Sequence, residues 1–179
     1  SFACAVSANI YFLLAGRFFQ AIGSGAVITV STALIKDCFR GQVMRKILAI
    51  DIGGTFIKQA VMIGMRSFKI TAQNKIPTPK ESHEKFLETL TYIFKANDDV
   101  EGIAVSMPGL IDTFKGVCIS SGALEFSNGH FIAEEIQNMC GVPVTVENDA
   151  NCAALAEIRS GSLVDVKDAL VLVFGTAVG

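Results

Sequence analysis

Three short stretches of this chain combine polar groups with glycine turns in a way that suits the handling of an anion and a hydroxyl. The first is Asp51-Ile52-Gly53-Gly54-Thr55, which follows a short apolar run. Two adjacent glycines let backbone amides approach an anion closely, and the threonine adds a hydroxyl. Asp51 stands at the end of the run, where a carboxylate can hold a magnesium ion directly or through water. The same string also suits an ordinary glycine hairpin. The second stretch is Glu147-Asn148-Asp149. Asn and Asp both cap helices well, yet three successive polar groups exceed what one cap needs. A carboxylate there can serve as general base toward a hydroxyl within hydrogen-bond reach. The third is Phe-Gly-Thr-Ala-Val-Gly at residues 174–179, in which Gly175 and Thr176 repeat the Gly54-Thr55 pair. Two such turns can grip a phosphate chain between them. Neither GxxxxGK[ST] nor GxGxxG occurs, which excludes a Walker or Rossmann phosphate loop.

The elements around these stretches follow from periodicity. Residues 46–51, 56–63 and 67–76 read as three strands, with Gly64 at a turn. Ser82 is positioned to cap a helix of about 14 residues, on which Phe86, Leu87, Leu90, Ile93 and Phe94 form one apolar face. A strand over 102–107 runs into a Pro-Gly turn, and a second helix over 130–140 stops at Gly141. A strand over 143–148 leads into a helix that starts beside Asn148 and Asp149 and ends at Gly161. Residues 168–179 read as a last strand entering a glycine-rich turn. This order predicts an α/β fold, a mixed sheet with helices on both faces and its ligand sites at the strand ends.

Composition divides the chain in two. It has 179 residues, 51% of them hydrophobic, and a net charge of −2. Residues 1–43 carry only Arg17, Lys36, Asp37 and Arg40, whereas the rest is acidic and offers no basic face for nucleic acid. The five cysteines show no metal-finger spacing and read as buried reduced thiols. Between Arg17 and Lys36 lie eighteen uncharged residues, about the minimum for a membrane-crossing helix, with small residues crowded in the first half. Residues 40–45 have no linker composition, so the change is abrupt.

Two resemblances follow. LLAGRFFQAIGSGAVITVSTALIKDCF, with its Arg-x-x-Gln-x-x-Gly run and Asp-x-Phe end, resembles the fourth transmembrane helix of major-facilitator efflux transporters. It implies a hydrophobic helical segment over residues 1–43 and membrane contact through residues 1–39. In the remainder, DIGGTFIK, VSMPGLIDTFKG, SSGALEFSNG, VENDANCAALAE and LVFGTAVG resemble, in order and spacing, the ROK family of sugar kinases and regulators. That resemblance implies that residues 44–179 are the N-terminal lobe of an actin/hexokinase-like (ribonuclease H-like) ATPase fold, ending at the first strand of a second lobe. It implies ATP- and magnesium-dependent phosphorylation of a hexose or amino sugar, with Asp149 as general base. Asn148, Gly109 and Gly122 are then expected on the sugar side. Asp51, Gly53, Gly54, Thr55, Lys58, Gly175 and Thr176 are expected at the ATP phosphates and metal. The resemblance also implies a cytoplasmic kinase, a homodimer when complete, and a cysteine-rich zinc site only beyond Gly179. The chain departs from the family at Ala177, where Gly is usual, and at Ala123, where the sugar side carries Asn. Met44 is expected to open the kinase part, and the 179-residue chain is expected to be inactive alone. The alternatives are a sugar-sensing regulator without catalysis and a membrane-attached kinase-like fusion; no winged-helix segment precedes Met44.

Overall fold

The computed structural model describes residues 45–64 and 68–173. Three strands open it: β1 (Arg45–Ile52), β2 (Phe56–Gly64) and β3 (Phe68–Pro77). Helix α1 (His83–Lys95) follows, capped by Ser82, whose Oγ accepts from Lys85 N at 3.2 Å. Strand β4 (Gly102–Met107) then leads to two short strands, β5 (Leu110–Asp112) and β6 (Val117–Ser120), and to a 3-10 turn at Glu125–Ser127. Helix α2 (Ile132–Cys140), strand β7 (Val144–Asn148) and helix α3 (Asp149–Ser160) complete the order.

The main sheet runs β3-β2-β1-β4-β7, antiparallel from β3 to β1 and parallel from β1 to β7. The switch follows from the connections. Only three residues separate β1 from β2 and β2 from β3, whereas a parallel return needs a longer crossover, supplied by α1 before β4 and by α2 before β7.

Strand alternation assigns the layers. Leu48, Ile50 and Ile52 of β1 face Phe86, Leu90 and Ile93 of α1 and Ile132 and Ile136 of α2, all buried in one cluster. Ile47 and Ala49 face the other way, onto Met62, Ala104 and Cys152 of α3. Strand β4 lies between the two layers, so all six of its residues are buried. Each large side chain in the thicker layer contributes about 2 kcal/mol by leaving water. The mixed sheet with helices on both faces is therefore the predicted one.

Two expectations are corrected. The Pro-Gly turn after β4 leads into a second, two-stranded sheet of β5 and β6, which was not anticipated. The last strand expected from residue 168 does not form over 168–173: Leu170 and Leu172 are 83% and 53% exposed, and no strand partners them among the described residues. A run of alternating apolar residues becomes a strand only when a neighbour takes its hydrogen bonds and its apolar face. The hydrophobic helical segment expected over residues 1–43, and the join after it, lie outside the described residues. Among the described residues no helix is long and apolar enough to cross a membrane.

Candidate active site

The register of the sheet gathers the polar residues. Asp51 on β1 pairs with Ser106 on β4, and Ser106 pairs with Glu147 on β7. All three alternate out of the thick apolar layer and onto the face that carries α3. Ser106 Oγ donates to Asp51 Oδ1 at 3.1 Å. Glu147, 8% exposed, accepts from Thr113 Oγ1 at 2.8 Å, from Asn151 Nδ2 at 3.0 Å and from the Asn148 amide at 2.7 Å. A nearly buried carboxylate with this many donors is a structural post that fixes the end of β7.

Asn148 is both the helix cap and more than the cap. Its Oδ1 accepts from the amides of Ala150 and Asn151 at 2.9 and 3.0 Å, closing the first turn of α3. Its Nδ2 donates to the Gly109 carbonyl at 2.7 Å, tying β7 to the turn after β4. Gly109 has φ +121, and a Cβ there would lie 2.4 Å from the Ser120 carbonyl oxygen. Only glycine permits that approach.

Asp149 is the first residue of α3. Its carboxyl is held above the ordinary aspartate range, chiefly by burial, with the like charge of Asp51 adding to the effect against opposing backbone hydrogen bonds. The carboxylate is thus a stronger base than a solvated aspartate. Behind it, burial pushes the Cys152 thiol up, so this sulfur stays protonated and serves the packing.

The Gly-Gly-Thr turn links β1 and β2, closed by the Gly53 amide on the Phe56 carbonyl at 2.9 Å. Lys58, opposite Asp51 across the hairpin, brings its Nζ to 3.6 Å from Asp51 Oδ2, with its side chain 43% exposed. Thr78 locks the turn from outside: its Oγ1 donates to the Gly53 carbonyl at 2.7 Å, and its amide to the Thr55 carbonyl at 3.0 Å. The loop after β6 reaches the same place, since a Cβ on Gly54 would meet the Ala123 Cβ at 3.5 Å. Gly122 beside it is exposed, with open space where a side chain would stand.

Asp51, Gly53, Gly54, Thr55 and Lys58 therefore form one group, and Gly109, Asn148 and Asp149 a second; the Gly122 loop abuts the first. The Asp51–Asp149 repulsion joins the two. Gly175 and Thr176 lie outside the described residues. Sequence reasoning missed Ser106, Thr78 and Thr113. Ser106 had a signal, being the one polar side chain in the Gly102–Met107 strand; Thr78, in a Pro-Thr-Pro loop, had none.

The donor set fits a magnesium-bound nucleotide. Asp51 offers a hard carboxylate oxygen, Lys58 a half-exposed cation, and the turn a backbone compact enough for an anion to approach.

Residues 47–179 match the ROK family. The chain is 36% identical over 134 residues to the beta-glucoside kinase of Klebsiella pneumoniae, covering 75% of this chain and 44% of that protein. It is 32% identical over 133 residues to the N-acetyl-D-glucosamine kinase of Photobacterium profundum, covering 72% and 43%. It superposes on the ROK family glucokinase of Streptomyces griseus, solved with glucose and AMPPNP, with a TM-score of 0.58 and 26% identity over 65% of this chain and 37% of that one. The chain thus spans less than half the length of these relatives.

Proposed function

The chain belongs to the ROK family, and we propose that it forms the sugar-binding and base-bearing part of a kinase that moves the terminal phosphoryl group of ATP to a hexose or amino-sugar hydroxyl. The observation that carries this reading is the position of Asp149: a carboxylate with raised proton affinity, at a helix start, on the sheet face where Asp51, Ser106 and Glu147 line up. Kinases named for β-glucosides and N-acetylglucosamine among the relatives, and a fold neighbour holding glucose with an ATP analogue, support the substrate classes.

In this reading Asp149 accepts the proton of the attacking sugar hydroxyl. Asn148, fixed by its bonds to Gly109 and to the α3 amides, orients the hydroxyls beside it. Gly109 and Gly122 lie along the sugar cleft: Gly122 leaves room for the ring, and Gly109 lets the turn close against Ser120. The Gly54 and Thr55 amides and Lys58 would hold the phosphates, in a turn that the Gly53 amide closes on the Phe56 carbonyl, and Asp51 would hold magnesium, whose chemistry is neutralisation of phosphate charge. Phosphoryl transfer asks mainly for positioning and charge neutralisation, and these residues supply parts of both. Gly175 and Thr176 belong to the same proposal as a second phosphate-facing turn.

The test joins this chain to the C-terminal lobe of a relative and follows ADP release with glucose, β-glucosides and N-acetylglucosamine. Turnover is expected with at least one of them, and Asp149→Ala is expected to reduce it by about 10²–10⁴-fold. A rate within a few-fold of the parent refutes the base assignment. Sugar binding without turnover in the parent favours a sensing role instead.

A further inference from the structure

The only two histidines of the chain meet at a single carboxylate, away from the residues assigned above. His83, the first residue of α1, places Nε2 2.5 Å from Glu135 Oε2. His130, on the loop before α2, places Nδ1 3.1 Å from Glu135 Oε1. The two rings stack with centroids 3.5 Å apart and planes inclined by 26°. The three ligand atoms lie within 4.8 Å of one another. Each comes from a different segment: the start of α1, the 121–131 loop and the first turn of α2.

Two features distinguish this cluster from an ordinary surface ion pair. The first is enclosure: the His83 side chain is only 9% exposed and packs against Phe86 and Phe126, with ring centroids 6.1 and 6.4 Å away. Its remaining nitrogen, Nδ1, is buried with no hydrogen-bond partner, so aromatic packing and the Glu135 contact set the ring's orientation. The second is the stacking itself. It turns one nitrogen of each ring onto a different oxygen of the same carboxylate, so three ligand atoms from three segments converge on one point.

We propose that His83, His130 and Glu135 form a binding site for a borderline divalent transition ion, zinc in the first instance, with water as fourth ligand. Two imidazole nitrogens and one carboxylate oxygen are a zinc-type donor set, whereas magnesium and calcium take oxygen. His130 and Glu135 are 39% and 29% exposed, which gives the ion a way in and leaves a side for water. The site is structural. It fastens the 121–131 loop, which carries Gly122 and Ala123 against the Gly54 turn, to the starts of both helices on the thick side of the sheet. It uses no thiol.

The test uses the full chain, freed of metal by a chelator and dialysed. Zinc is titrated against a chromogenic competitor, and cobalt(II) is bound in parallel as a spectroscopic stand-in. One zinc per chain is expected, with a rise in Tm. The cobalt complex is expected to show d–d bands without a thiolate charge-transfer band. His130→Ala and Glu135→Gln, both at partly exposed positions and checked for folding by circular dichroism, each remove a ligand and are expected to weaken binding by more than the ~10–100-fold that losing an outer-shell partner costs, and to abolish the Tm rise. No saturable zinc binding by the parent overturns the proposal. So does affinity equal to the parent's in both variants, or a cobalt spectrum dominated by thiolate that survives His130→Ala.

Discussion

Asn148 makes two kinds of bond with the two ends of one amide, and a pair of substitutions separates them. Its oxygen caps α3 through the amides of Ala150 and Asn151; its nitrogen reaches the Gly109 carbonyl. Asn148→Ala removes both. Loss of the cap costs about 1 kcal/mol, and loss of the tie about another 1 kcal/mol. The Gly109 carbonyl is half-buried and regains some water, so the total stays near 2 kcal/mol. Asn148→Ser keeps a cap acceptor and loses only the reach to Gly109, so its cost is about 1 kcal/mol. Urea unfolding followed by far-UV circular dichroism reads both numbers, provided the slope with denaturant is unchanged among the three proteins. Ser and Ala variants agreeing within about 0.3 kcal/mol refute the cap. Both lying within about 0.5 kcal/mol of the parent refute the whole account of Asn148 as a structural joint. Hydrogen exchange supplies a second reading: in the Ser variant the 108–121 turn and hairpin should exchange faster while α3 keeps its protection.

Further outcomes follow from the same site. Because burial first, and Asp51 second, raise the Asp149 pKa, its charged form is the one the fold disfavours. The stabilising effect of the neutral form is fully present below the ordinary value of 3.8 and is lost as pH rises through the raised folded value. Asp149→Asn should therefore increase Tm at neutral pH, and the gain should vanish in a series carried below pH 3.8. A gain that persists at low pH would point to packing instead of charge. Gly109→Ala, with φ +121 and a carbonyl oxygen 2.4 Å from the new methyl, should cost about 3 kcal/mol in urea unfolding. A near-neutral result means the turn relaxes freely.

Much of this arrangement was readable in the residues. The short buried run of β1 and the alternation of β2 both read as strands, Ser82 caps where a serine should, and Gly141 ends α2 in the left-handed conformation, at φ 73. The strand-end clusters were legible because polar residues interrupt apolar runs at the places where such runs must stop. The β5–β6 hairpin was not, since strands of three and four residues offer too few positions for alternation to register. The choice between cap and functional group at Asn148 was also undecidable from sequence, and the structure shows why: the capping oxygen and the reaching nitrogen belong to one side chain. The Thr78–Gly53 bond and the His83–Glu135 contact join residues 25 and 52 positions apart, for which local pattern carries no trace. Over 168–173 the expected strand does not form for the opposite reason, a good pattern without a neighbour to answer it among the described residues.

The level row of Asp51, Ser106 and Glu147 has a meaning for how the sheet finds itself. Parallel strands of valine and isoleucine are alike enough to slide. A slip of β1 by a single residue against its neighbours turns every side chain over. Asp51 would then point among Phe86, Leu90 and Ile132, and a slip of β7 would send Glu147 to the same place. Each such misalignment buries an unpaired carboxylate, at a cost of several kcal/mol that no rearranged isoleucine can return. The groups that make this face polar thus also act as alignment pins, penalising near-miss pairings while the chain is still assembling. A version with all three made apolar should pack well, but fold more slowly and less uniquely.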